Sequence, residues 1–154
     1  MKVESKEAEK QPDDRADRAD QVEQESRKPL VAIAREVRER AHAPYSGFKV
    51  GAAVEASDGT VFTGCNVENS SYGLSLCAER VAVFKAISEG RHDLVRVAVI
   101  ADSHSPVRPC GACRQVLSDI LGGDAEVIMA NLQGAIEVKK VRDLLPTPFD
   151  RSFL

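Results

Sequence analysis

No apolar run in this 154-residue chain approaches the length of a membrane span, and its N-terminus has no apolar signal core. The expectation is a cytoplasmic protein with no membrane partner. There is no basic surplus either. Lys and Arg number 21 against 24 Asp and Glu, leaving a net charge of -3. A nucleic-acid polymer needs a basic surface for its phosphates, so no such partner is expected. There is no internal repeat. The only three histidines, His42, His92 and His104, are scattered near expected surface turns and read as solvated rather than ligating. Cysteine is scarce as well, at four residues. Without a signal segment, and with 43% of the chain hydrophobic, these read as metal-binding or catalytic before they read as two disulfides.

What is present divides at about residue 28. Residues 1–27 mix acids and bases with almost no large apolar side chains, and cannot bury enough surface to offset the entropy of ordering. They read as a disordered or frayed charged tail, and 28–154 as one domain. From Pro29, a residue suited to a helix start, Leu30, Ile33, Ala34 and Val37 mark one helical face. Phe48–Ala56 and Thr60–Asn66 read as strands around a Ser57-Asp58-Gly59 turn. A helix is expected from about Leu76 to Glu89, with Gly90 as its cap. Leu94–Ala101 and Ala125–Asn131 read as buried strands, separated by a helix that Gly122 and Gly123 stop. Ala135–Val138 reads as a further strand. The order α-β-β-α-β-α-β-β implies an α/β fold, a mixed sheet covered by helices on its faces.

Two cysteine groups stand at expected helix starts: Cys77-Ala78-Glu79, then Pro109-Cys110-Gly111-Ala112-Cys113. Helix N-termini favour thiolate over thiol. Three thiolates can hold one zinc ion and leave its fourth position open, so that the ion acidifies a water. Glu79 is then free to move protons. Three thiolates and Zn²⁺ sum to a charge of -1, which needs local compensation. Arg80 is placed to donate to the sulfurs, and Arg114 is a second candidate. Cys65 reads as a small core residue. A closed four-cysteine site including Cys65 remains an alternative, as does a non-catalytic zinc-stabilised module.

The two motifs resemble the signature of zinc-dependent nucleoside and nucleobase deaminases. With Ala43–Ala53, Gly64–Asn69 and Leu144–Phe149 in the same order, the chain from about Leu30 to Phe149 is similar to the small homotetrameric cytidine deaminases. The resemblance implies the three-layer α-β-α fold of that family. It implies one zinc per subunit on Cys77, Cys110 and Cys113, with Glu79 as the proton shuttle. Asn66 and Glu68 would bond the ribose 3′-hydroxyl, Phe48 would pack on the pyrimidine, and Ala78 would offer the base a backbone contact. Phe149 would come from a neighbouring subunit, and Tyr72 would reach a neighbouring site. The implied reaction is hydrolytic deamination of the free pyrimidine nucleosides cytidine and 2′-deoxycytidine. A deaminase of another aminopyrimidine nucleoside, such as blasticidin S, is the alternative; the Asn66–Asn69 segment favours an ordinary nucleoside. Residues 1–27 are an extension that the short family members lack.

Overall fold

A computed structural model describes residues 14–154. Its first helix corrects the sequence reading. Helix α1 runs over Asp14–Arg38, so Pro29 lies inside it and does not start it. A proline there has no N–H for the carbonyl one turn earlier, a defect that usually ends or kinks a helix. Both flanks hold this one in place. Before the proline, Arg27 Nη2 donates to Glu126 Oε1 at 2.8 Å. After it, Leu30, Ala34 and Val37 are buried. Of the tail expected over 1–27, residues 1–13 lie outside the described residues, while 14–27 are helix continuous with the rest of α1.

The apolar runs form five strands: β1 (Val50–Ala56), β2 (Val61–Cys65), β3 (Leu94–Ala101), β4 (Glu126–Asn131) and β5 (Ile136–Lys140). They lie in the order β2-β1-β3-β4-β5. β3 and β4 are parallel and every other pair is antiparallel. The parallel pair needs a crossover, supplied by α3 (Gly111–Ile120). Helix α2 (Ala78–Ser88) joins β2 to β3, and a four-residue α4 (Val141–Leu144) follows β5.

Alternation along the strands divides the core into two. Ala53, Ala98, Ile100, Ile128 and Ala130 face α1 through Leu30 and Ala34. Ala52, Val54, Val97, Val99, Val127 and Met129 face the opposite layer, where Ala82, Val83, Ala86 and Leu117 meet them. β3 and β4 are covered on both sides, which is why they read as unbroken apolar runs. The layers are α-β-α, as expected.

Two glycines let the helices lie directly on the sheet. A Cβ on Gly51 would stand 2.0 Å from the Ala34 carbonyl oxygen of α1. One on Gly64 would stand 2.4 Å from the Ala82 nitrogen and 2.6 Å from the Ala78 oxygen of α2. The Gly64 contact presses the first turns of α2 onto β2. Register then gathers three chain segments at one end of the sheet. The start of β1 lies beside the end of β2 through Gly51 and Cys65, and beside the end of β3 through Val50 and Ala101. Phe48, Asn66 and the connection to Cys110 all leave the sheet there.

Candidate active site

The same helix-start pattern places all three sulfurs. Cys77 and Cys110 are the N-cap residues of α2 and α3, both with extended backbone, and Cys113 lies within the first turn of α3. The two helices therefore aim their N-termini, with free N–H groups and partial positive charge, at one spot. The loop entering α3 is pinned by buried Asn131. Its Nδ2 donates to the carbonyls of Ser103 at 3.2 Å and His104 at 3.4 Å, and its Oδ1 accepts from the Ala135 N–H at 2.8 Å. Asn131 closes an apolar strand, and the sequence reading gave it no role beyond that.

The sulfurs of Cys77, Cys110 and Cys113 lie within 4.8 Å of one another. Cys77 and Cys110 are 3.7 Å apart, sulfur to sulfur. Tetrahedral zinc with bonds of about 2.3 Å separates its sulfurs by about 3.8 Å, so the donor set and spacing fit this ion. Cys65 is a half-buried free thiol on β2, outside the cluster. The closed four-cysteine alternative is thereby set aside, and Cys65 is half-buried where a buried core residue was expected.

The clustered thiols depend on one another. Cys77 is pushed down to about 5, first by the Cys113 thiol donating to it and then by Arg80. Cys113 is pushed up because it is that donor and is buried. A divalent cation takes the place of the shared protons, since its ligands must be thiolates. Arg80 Nη2 reaches Cys77 Sγ at 3.4 Å, while its Nε is buried with no hydrogen-bond partner among the described residues. This sets a partly desolvated cation against the Cys77 sulfur.

Beside the sulfurs, a cleft of about 270 Å³ is lined by Phe48, Asn66, Glu68, Cys77, Glu79 and Cys110, among others. Glu79 is 4% exposed. Burial raises it to about 7, and the neighbouring Cys77 thiolate pushes the same way. It is one of two buried polar residues among those described, and it is the one that faces the cleft. A carboxyl poised near neutrality can both accept and return a proton. Asn66 Nδ2 donates to the Phe48 carbonyl and its Oδ1 accepts from the Val50 N–H, each at 2.8 Å. One amide hydrogen and one oxygen lone pair remain for a ligand. Glu68 accepts from the backbone N–H of Tyr45 at 2.8 Å and of Ser46 at 3.1 Å, and from the Ser46 hydroxyl. The Ser46 hydroxyl is the main cause of its lowered pKa.

Residues 24–130 match the family model described as the cytidine and deoxycytidylate deaminase zinc-binding region. The chain belongs to this family. The cytidine deaminase of Halalkalibacterium halodurans is 53% identical over 123 residues, covering 80% of this chain and 93% of that protein. The cytidine deaminase of Sporosarcina psychrophila is 49% identical over 125 residues, covering 81% and 92%. Among solved structures, the cytidine deaminase of Burkholderia pseudomallei superposes with a TM-score of 0.78 at 48% identity, covering 79% of this chain and 98% of that one.

The remaining expected residues of this deaminase-family fold are placed as follows. Ala78 is fully buried, between Cys77 and Glu79 of the cleft lining. Tyr72 lines a separate neighbouring cleft with Tyr45, Ser46 and Glu68. Phe149 is outside the sulfur-bearing cleft and stacks on Phe153 with ring centroids 5.4 Å apart. Arg114 is corrected: it donates to the Pro109 carbonyl at 2.9 Å and the Leu144 carbonyl at 3.0 Å instead of to sulfur. Arg108 and Val107 line the main cleft although the motif reading passed over them. The three histidines are exposed, as expected.

Proposed function

We propose that this deaminase hydrolyses cytidine and 2′-deoxycytidine to uridine and 2′-deoxyuridine, releasing ammonia. The observation that carries this reading is one buried carboxyl, Glu79, lining a cleft beside three zinc-spaced sulfurs in a chain of this family. Cys77, Cys110 and Cys113 would hold the ion, which supplies a Lewis acid that lowers the pKa of a bound water.

The chain's own residues do the rest. Phe48 packs on the pyrimidine and Ala78 offers the base a backbone contact. Asn66 and Glu68 hold the ribose 3′-hydroxyl, a group that both donates and accepts. Glu79 takes a proton from the attacking water and gives it to ring N3, making C4 more electrophilic. It next carries the second water proton to the departing amine, so one water is consumed and one ammonia leaves. Such transfers contribute roughly 10²–10⁴-fold each. Arg80 keeps Cys77 in its thiolate form.

The reading extends to a homotetramer with shared sites. Tyr72 is 78% and Phe149 60% exposed, and both are aromatic groups that a neighbouring chain would cover. Among the described residues no helix is long and apolar enough to cross a membrane. Thiolate ligands need a reducing compartment, which supports the cytoplasm. The direct test measures zinc per chain and the ammonia released from cytidine. Glu79→Ala should keep its zinc and its fold and lose turnover by several orders of magnitude. Near-normal turnover in that variant would overturn the mechanism.

A further inference from the structure

We propose that Ser46 is a positioning residue for this reaction, setting both the sugar-binding carboxylate and the aromatic wall of the cleft. Its hydroxyl joins the two. Ser46 Oγ donates to Glu68 Oε1 and accepts from the Phe48 N–H at 2.9 Å. The other side of Phe48 is held too, since its carbonyl accepts from Asn66 Nδ2 at 2.8 Å. The turn carrying these groups has Gly47 at φ 69, a conformation that other residues adopt only with strain. The chain entering the turn is tied to the segment that follows β2: the His42 N–H donates to the Asn66 carbonyl at 3.0 Å, and the Glu68 N–H to the His42 carbonyl at 2.8 Å. Ser46 lines the neighbouring cleft and not the one beside the sulfurs, while Glu68 lines both. It therefore acts through Glu68 and Phe48 without contact with the nucleoside.

The geometry has a chemical consequence. A carboxylate can accept about four hydrogen bonds, and Glu68 already takes three from the turn. Those three fix its orientation and leave limited acceptor capacity, aimed in one direction, for a sugar hydroxyl. Without the Ser46 hydroxyl, Oε1 loses its one bond from the turn and the Phe48 N–H loses its acceptor. Ground-state and transition-state binding should then fall together, because neither group exchanges a proton or a bond with the atoms that react.

This inference rests on the reading that Glu68 binds the sugar, and its test separates the two. Steady-state kinetics with cytidine would be measured on the full-length zinc-loaded enzyme and on Ser46→Ala, Ser46→Thr, Glu68→Gln and the Ser46→Ala/Glu68→Gln double variant. Ser46→Ala should raise KM roughly tenfold, the loss of one hydrogen bond to a charged group, with kcat changed by less than about twofold. Ser46→Thr, which keeps the hydroxyl, should restore KM. The double variant should fall short of the product of the two single effects, as coupled residues do. An unchanged KM in Ser46→Ala, or effects that simply multiply, would overturn the proposal. Wild-type enzyme that handles 3′-deoxycytidine as well as cytidine would remove the sugar contact of Glu68, while the KM of Ser46→Ala would still decide the role of Ser46.

Discussion

Arg80 and Arg114 each follow closely on a cysteine, and only Arg80 reaches sulfur. Arg80, three residues beyond Cys77, and Arg114, four beyond Cys110, each share a helical face with a cysteine, and only the Arg80 guanidinium is directed to that sulfur. Arg114 instead bridges the Pro109 and Leu144 carbonyls, so it braces the entry to Cys110. The two arginines should therefore fail differently. Arg80→Gln keeps the fold and removes the charge beside Cys77, and should weaken zinc affinity or turnover by roughly 10–100-fold, as lost outer-shell partners do. Metal competition with a chromophoric chelator, alongside cytidine kinetics, reads both. Unchanged values would remove Arg80 from the compensation of the site.

The elements matter through where they end. Helix α2 brings its cap beside that of α3 while lying directly on β2 at Gly64. Gly64→Ala would drive a methyl into the Ala78 and Ala82 backbone, which cannot rotate aside as a side chain can. The expected cost is about 1–3 kcal/mol, the range for overpacking, with zinc affinity reduced because the displaced helix carries Cys77 and Glu79. Gly73→Ala, with nothing within 4 Å of the added carbon, should stay within about 0.5 kcal/mol. Urea unfolding of both variants checks the contrast, and equal stabilities would contradict it. This scale also shows what was legible in advance. β3 and β4 announced themselves as apolar runs, and the cysteine motifs marked helix starts that the structure bears out. The length of α1 was hidden, because its early turns have little apolar character and Pro29 looked like a beginning. What holds that stretch is Arg27 on Glu126, a contact 99 residues apart in sequence. The Ser46–Glu68 and Asn66–Phe48 bonds were hidden for the same reason, since spacing along the chain does not reveal bonds made across a turn.

At the scale of the whole molecule, the C-terminal segment is held by its backbone and presents its rings outward. Gln115 Nε2 donates to the Phe149 carbonyl at 2.6 Å, and Arg114 holds the Leu144 carbonyl. Phe149 and Phe153 stack on each other, 60% and 70% exposed. A segment bound through carbonyls leaves its aromatic faces available to another subunit, the arrangement that the proposed tetramer needs. Phe149→Ala removes a ring without touching the bond from Gln115 to the main chain. If that ring completes the cleft of a neighbouring chain, the variant should keep its zinc and its monomer stability while KM for cytidine rises roughly 2- to 10-fold, the worth of one aromatic contact. Light scattering on the wild type should give four times 16.7 kDa. A fully active single chain, or a Phe149→Ala variant with unchanged KM, would place every substrate contact within one subunit and leave the exposed rings to another purpose.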